Sequence, residues 1–312
     1  MSLELPSDLQ DRDSFARMLL DVFGQEGAES VVSTLGSTSN SATYWWNPLK
    51  SDGDRFAKDE PLPGLNQVYV SHDRDALTHS AEAESGQIYI QNPSSKLAAD
   101  CLGVEPDMEV LDLAAAPGGK TIALAAHMAN TGRIAAVEPV PRRFHRLKAN
   151  LDRCGVSNVA FYQRDGRGVG RAVPDRFDRV LLDAPCSSES RMRWHDARSY
   201  DHWQLRKIKE AQRKQKGLIQ SAYLALKPGG RLLYCTCSFS VEENEAVVAH
   251  LLKRTNAQLL PLELDLPHAK SGLTKYRNRS LNTQLEKTKR IVPTQLWDGF
   301  YLALVTKPLS DR

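Results

Sequence analysis

The 312 residues suffice for a sizeable core and two domains, and 41% apolar and 25% charged content is that of an ordinary globular chain. No run of about 18 apolar residues is present, which excludes a membrane-spanning helix, and the opening residues, with Glu4, Asp8, Asp11 and Asp13, lack the basic-then-apolar pattern of a secretory signal. The net charge of +3 is unevenly spread, with 7 Lys/Arg against 19 Asp/Glu in residues 1–110 and 34 against 19 in the rest, which suits either a polyanionic partner or attraction between the two parts.

In chain order, residues 8–35 read as a helix with Phe15, Met18, Leu19, Val22 and Phe23 on its core face. A polar linker, 36–43, leads to Tyr44-Trp45-Trp46-Asn47-Pro48-Leu49-Lys50, whose aromatics either pack in a core or stack a base. Residues 51–85 are acidic, punctuated by Pro and Gly, and show no periodicity. Ile88–Ile90 reads as a short strand, and Pro93-Ser94-Ser95 opens a helix through Leu102. From residue 108 strands and helices alternate, which predicts a parallel sheet. The strands are 110–113, 134–137, 159–162, 180–182 and 231–234, and the helices between them 120–128, 141–154 and 203–227. Lys227-Pro228-Gly229-Gly230 reads as a turn, and Ser240 with Glu243 as a capping box for a helix to Lys253. Residues 267–290, with seven Lys/Arg and one acid, read as a basic loop, and Phe300–Thr306 alternates like a final strand. The basic loop and the basic half of helix 203–227 are expected to contact a polyanion.

Chemistry-bearing residues gather at the strand ends, where open α/β sheets bind ligands. The turn Ala114-Ala115-Ala116-Pro117-Gly118-Gly119 lets backbone approach a ligand, or is simply a tight turn. It matches neither the dinucleotide nor the Walker glycine pattern, so a phosphate site is disfavoured. Glu138, Asp165 and Asp183 each follow a strand. A carboxylate at Glu138 suits a ribose diol, although acids favour strand ends in any case. Lys120 begins the helix after the turn and is placed to order Asp183. Cys186, after Asp183-Ala184-Pro185, and Cys237, after Thr236, end adjacent strands, so both thiols face one crevice. Cys235 lies inside its strand as packing, and Cys101 and Cys154 read as structural. Five cysteines without a spacing framework argue for reduced thiols, a cytoplasmic home and no metal site.

Residues 86–307 resemble the bacterial ribosomal-RNA cytosine-5 methyltransferases of the RsmB/RsmF type, within the wider Sun family, and most nearly the RsmF type. The resemblance rests on Tyr89-Ile90-Gln91-Asn92-Pro93-Ser94-Ser95, Ala114–Thr121, Asp183-Ala184-Pro185-Cys186, Thr236-Cys237-Ser238, Glu242-Glu243-Asn244-Glu245 and Asp298-Gly299-Phe300-Tyr301. It implies a class I S-adenosylmethionine-dependent methyltransferase, Rossmann-like, with a mostly parallel seven-stranded sheet over 86–312. A smaller N-terminal α+β domain, 1–85, is expected to have an RNA-binding role. It further implies S-adenosylmethionine on Ala114, Ala115, Ala116, Pro117, Gly118, Gly119 and Lys120, with Glu138 at the ribose, Asp165 on the adenine side and Asp183 at the catalytic edge. Cys237 matches the nucleophile and Cys186 the cysteine of product release. The expected substrate is ribosomal RNA, free or in a particle, with transfer RNA as the alternative; an idle RNA-binding assembly factor of the same fold is the rival reading. The protein is expected to be monomeric, with no membrane partner and no further C-terminal RNA-binding domain. The chain departs from its relatives after Cys186: Ser187-Ser188-Glu189-Ser190-Arg191-Met192-Arg193-Trp194 stands where Ser-Gly-x-Gly and a basic Arg-x-x-Pro-Asp segment are usual, on a loop expected to touch RNA.

Overall fold

The structure is a computed structural model and describes residues 3–51 and 59–309. Residues 52–58 of the acidic stretch lie outside the described residues. The first helix, α1 (Arg12–Gly36), begins after the expected start at residue 8: Asp11 is left-handed at φ 47°, and its carboxylate accepts from the Leu205 amide and not from its own helix. Gly24, at φ 71°, breaks it midway. Phe15, Met18 and Leu19 are buried in a cluster with Met192, Tyr200, Trp203 and Phe239, so this helix closes over the loop after Cys186.

A small antiparallel sheet follows, ordered β2-β3-β1-β4 and made of β1 (Ala42–Trp46), β2 (Glu60–Pro61), β3 (Val68–Ser71) and β4 (Ile88–Ile90). The short helices α2 (Arg74–Thr78) and α3 (Ala81–Ser85) lie between β3 and β4. Such brief elements leave no periodic trace in the sequence. Tyr44, Trp45 and Trp46 are all buried on β1, which resolves the aromatic cluster as core. Because β4 completes this sheet, its hydrogen bonding runs past residue 86.

The large sheet takes β5 (Glu109–Asp112), β6 (Arg133–Val137), β7 (Val159–Tyr162), β8 (Phe177–Asp183) and β9 (Leu226–Thr236) in the parallel order β7-β6-β5-β8-β9. Lys227–Gly230 sits within the span of β9, opposite a shift in register against β8. Helices α4 (Pro93–Cys101), α5 (Gly119–His127) and α6 (Pro141–Arg153) cover one face; α7 (Val169–Ala172), α8 (Leu205–Ala225) and α9 (Glu245–Arg254) cover the other. The strands alternate accordingly. Val110, Ile134, Leu181 and Leu233 enter the first core, and Leu111, Ala135, Val180 and Leu232 the second. These positions are sealed from solvent, so cutting such a Leu or Ile to Ala is expected to cost about 2–5 kcal/mol.

Residues 258–291 differ most from expectation. They form β10 (Gln258–Leu260), β11 (Ala269–Ser271), β12 (Lys275–Tyr276), β13 (Arg279–Ser280) and β14 (Lys289–Ile291), the last four where a basic loop over 267–290 is predicted. The final strand, β15 (Phe300–Thr306), runs antiparallel to β9; β10 and β14 pair with its other edge, and β11 with β14. The sheet therefore has nine strands, not the expected seven. It is the mixed, mostly parallel sheet of a class I methyltransferase fold. Among the described residues no helix is long and apolar enough to cross a membrane.

Candidate active site

Strand order reverses between β5 and β8, and the carboxyl ends of these two strands carry Asp112 and Asp183. A crevice outside such a switch point is where open α/β sheets hold ligands. Here it is a cavity of about 230 Å3 lined by residues including Ala114–Pro117, Gly119, Lys120, Asp112, Asp183 and Arg191. The loop between β5 and α5 is held from three sides: the Ala115 amide donates to Val137 O, Arg143 to Ala116 O and Asn150 to Pro117 O, at 2.8–2.9 Å. Gly118 caps α5 at φ 112°, and a Cβ there would stand 2.5 Å from Leu151 Cδ1. At Gly119 a Cβ would come within 2.9 Å of Gln91 and Tyr89. Gly118 is thus favoured by its left-handed backbone as well as by close packing, whereas Gly119, at the start of the helix, is favoured by packing alone.

Lys120 Nζ donates to Asp183 Oδ2 at 2.7 Å and to Ser95 Oγ at 3.2 Å. The expected Lys120–Asp183 pair therefore forms, with the lysine buried. Asp112 accepts from Thr121 Oγ1 at 2.7 Å, and its full burial pushes its carboxyl up to about 6, a rise that the Thr121 bond only partly offsets.

Cys186 and Cys237 meet with their sulfurs 3.3 Å apart. The two thiols divide one hydrogen bond unequally. The contact with Cys186 draws Cys237 below the ordinary thiol range against the effect of burial, and Arg191 adds its positive charge. The same bond, together with burial, pushes Cys186 well up. Cys235 is fully buried, which raises its thiol far above the usual range, and its sulfur lies 3.7 Å from Asp183 Oδ1; it packs, as expected. Cys101 is likewise raised by burial, to about 12.

Glu138 and Asp165 stand apart from this cluster and do not line the cavity. Glu138 is buried, accepts from the Val140 amide at 2.9 Å and has Arg143 at 3.5 Å. Asp165 is exposed, caps the turn Gly166–Gly168 and binds Arg167 at 2.6 Å.

Three residues around the thiol-bearing loops escape a reading of the sequence. Arg191 lines the cavity; Ser188, at φ 62°, puts its Oγ 3.4 Å from Cys237 Sγ and 3.6 Å from Cys186 Sγ. Glu243 is the third, and it corrects the capping-box expectation. Ser240 Oγ does accept from the Glu243 amide at 3.2 Å, but α9 begins only at Glu245, and the Glu243 carboxylate turns inward towards the cysteine loops. A second cavity, of about 260 Å3, adjoins the first through Ile90, Gln91, Asn92 and Asp298; Ser37, Ser39, Ser41, Arg74 and Arg193 line its far side.

The model of the family described as "16S rRNA methyltransferase RsmB/F" matches residues 99–306. A protein of Erwinia tasmaniensis named "Ribosomal RNA small subunit methyltransferase F" is 46% identical over 200 residues, covering 62% of this chain and 42% of that protein. One of the same name from Escherichia coli (strain SMS-3-5 / SECEC) is 45% identical over 258 residues, 79% of this chain and 51% of that one. The chain spans about half the length of the curated relatives it matches. Among solved structures, a methyltransferase homolog protein from Pyrococcus horikoshii superposes with a TM-score of 0.82 at 29% identity, covering 97% of this chain and 100% of its own.

Proposed function

The chain belongs to the RsmB/F family of 16S rRNA methyltransferases, and we propose that it methylates carbon 5 of a cytosine in ribosomal RNA, with S-adenosylmethionine as cofactor, through a covalent cysteine adduct. The observation that carries this reading is the thiol pair, with sulfurs 3.3 Å apart at the carboxyl ends of adjacent parallel strands. Carbon 5 of cytosine is a weak nucleophile. A thiolate that adds to carbon 6 makes an enamine whose carbon 5 attacks readily, which splits one hard step into two.

S-adenosylmethionine supplies an electrophilic methyl group when bound. The cavity suits it: the small side chains of 114–117 leave room, and the carboxylates of Asp112 and Asp183 match a sulfonium and an ammonium. Glu138 and Asp165 belong to its nucleoside side in this reading. Cys237 is the nucleophile. Lys120 fixes the Asp183 carboxyl group at the N3 edge of the cytosine, where one proton taken up from solvent and held between Asp183 and N3 would offset the negative charge that spreads over the ring. Cys186, with its proton held tightly, acts later. After methyl transfer the carbon 5 proton leaves to a base, the bond from Cys237 to carbon 6 breaks, and the ring double bond is restored. The target base must leave its stack to reach this crevice, and the second cavity, faced by the N-terminal region, offers room for the neighbouring nucleotides.

The test is product analysis. Deproteinised 16S rRNA, small-subunit particles and transfer RNA are each incubated with the protein and labelled cofactor, and the nucleosides are separated by mass spectrometry. Label in 5-methylcytidine is expected. Label on the exocyclic amine, or transfer only to transfer RNA, would overturn the reading.

A further inference from the structure

Behind the two thiols lies a sealed cluster of carboxylates that the chemistry above leaves unused. Glu189 and Glu243 are both fully buried. Ser187, which follows Cys186, donates its hydroxyl to Glu189 Oε1 at 2.5 Å and also touches Glu243 Oε1. The Ser187 amide donates to Glu243 Oε2 at 3.1 Å. Ser238, which follows Cys237, bonds Glu243 Oε1 at 3.0 Å, and Gln215 Nε2 donates to Oε2 at 2.7 Å. Trp203 Nε1 donates to Glu189 Oε1 at 2.8 Å, and the Phe239 amide to Oε2 at 3.3 Å. One carboxyl group thus holds the residue after each cysteine.

We propose that Glu243 is a positioning residue that clamps the turn after Cys186 to the turn after Cys237 and so sets the sulfur-to-sulfur contact on which the activity of Cys237 depends. Counting protons shows how. Ser187 has a single hydroxyl proton and contacts two carboxyl groups, so it can donate to only one of them. With that proton given to Glu189, the second contact needs a proton on Glu243, which makes a relay from Glu243 through Ser187 to Glu189. Burial, reinforced by the charge of Glu189, pushes Glu243 up to about 8, in keeping with a protonated group at neutral pH. The neighbouring residues of the same motif brace one side only. Asn244 Nδ2 donates to Ser238 O at 2.8 Å, while Glu245 pairs with Arg290, which donates to Phe239 O at 2.9 Å; both brace the Cys237 side alone. Glu243 is therefore the member that reaches both thiol-bearing turns.

The inference deepens the proposed function, yet its test needs neither RNA nor cofactor, so the two can fail separately. The full chain is treated with iodoacetamide, and the alkylation rates of Cys237 and Cys186 are read by peptide mass spectrometry. In the wild type Cys237 is expected to react at least about tenfold faster than Cys186, because thiolate fraction controls the rate. Glu243→Ala should bring the ratio close to one. Glu243→Gln, which keeps a donor and an acceptor in the same places, should restore it. Glu245→Gln should lower the melting temperature and leave the ratio alone, which separates positioning from general loosening. Should Glu243→Ala fail to fold, Ser238→Ala replaces it, with at least about a threefold fall in the ratio expected. A folded Glu243→Ala, or Ser238→Ala in its place, with an unchanged ratio overturns the proposal. So does a Glu243→Gln protein that behaves like Glu243→Ala.

Discussion

Two thiols in contact do not ionise together, because the first thiolate is stabilised by the hydrogen bond of a proton that the second must keep. In this site Cys237 is the lowered partner and Cys186 the raised one. The order of events then predicts opposite behaviour in the variants. Cys237→Ala should lose methyl transfer by about a thousandfold or more and form no covalent RNA species, since it lacks the group needed before the adduct. Cys186→Ala should form the adduct and fail to release it, leaving a protein–RNA species that survives denaturing electrophoresis. Cys235→Ala should trap nothing and lose about 1–2 kcal/mol of stability, as a buried packing residue does. Reversed behaviour would exchange the two roles, and adducts from neither variant would favour a mechanism without covalent catalysis. Both cysteines and the Lys120–Asp183 pair were legible in the sequence because adjacent strand ends must share one edge. Ser188 and Arg191 were not. Which hydroxyl of Ser187-Ser188 faces the sulfurs is decided by the left-handed backbone at Ser188, and nothing in the string of letters announces it.

At the scale of elements, the strands that the sequence specified best are those with a continuous apolar signal between turns. Val159–Tyr162 and Phe300–Thr306 agree to the residue, and α5 and α6 to within one or two. The basic stretch 267–290 misled for the opposite reason: its strands are two or three residues long and carry exposed cations, so no alternation is visible. Folding also divides those cations. Arg277 donates to Asp21 of α1 at 2.8 Å and lies over the Tyr276 ring, whereas Lys275 and Arg279 stand exposed on the β12–β13 hairpin. If the hairpin contacts RNA phosphates, the double variant Lys275→Gln/Arg279→Gln should weaken RNA binding and reduce the slope of log K against log salt by about 1–2, at roughly 0.7–0.9 per phosphate contact. Arg277→Gln should mainly lower the melting temperature by loosening α1. Filter binding across a salt series checks both, and an unchanged slope in the double variant would mark these charges as a solvated face.

For the whole molecule, the sealed carboxyl behind the thiols leaves a signature in stability against pH. Glu243 is raised from an ordinary 4.5 to about 8 on folding. Between those values the folded state keeps a proton that the unfolded chain has lost, so stability falls as pH rises through that window and levels off above 8. Asp112, raised to about 6, acts in the same direction, but its effect is complete once pH passes 6. His250 and His268, both lowered by burial, oppose them: their folded forms bind fewer protons than the unfolded chain, so stability rises with pH until about 6.5, the ordinary histidine value, and then stops changing. The decline that Glu243 produces is therefore clearest between pH 6.5 and 8. A one-proton difference sets an upper limit of about 1.4 kcal/mol per pH unit. Urea unfolding of wild type and Glu243→Gln at half-unit steps from pH 5 to 8.5 isolates it, because the other titrations are common to both proteins. The wild type should lose stability relative to the variant as pH rises to about 8, and the two curves should then run parallel. Parallel curves across the whole range would mean that Glu243 is ionised in the folded protein, and the relay through Ser187 would be lost with that result.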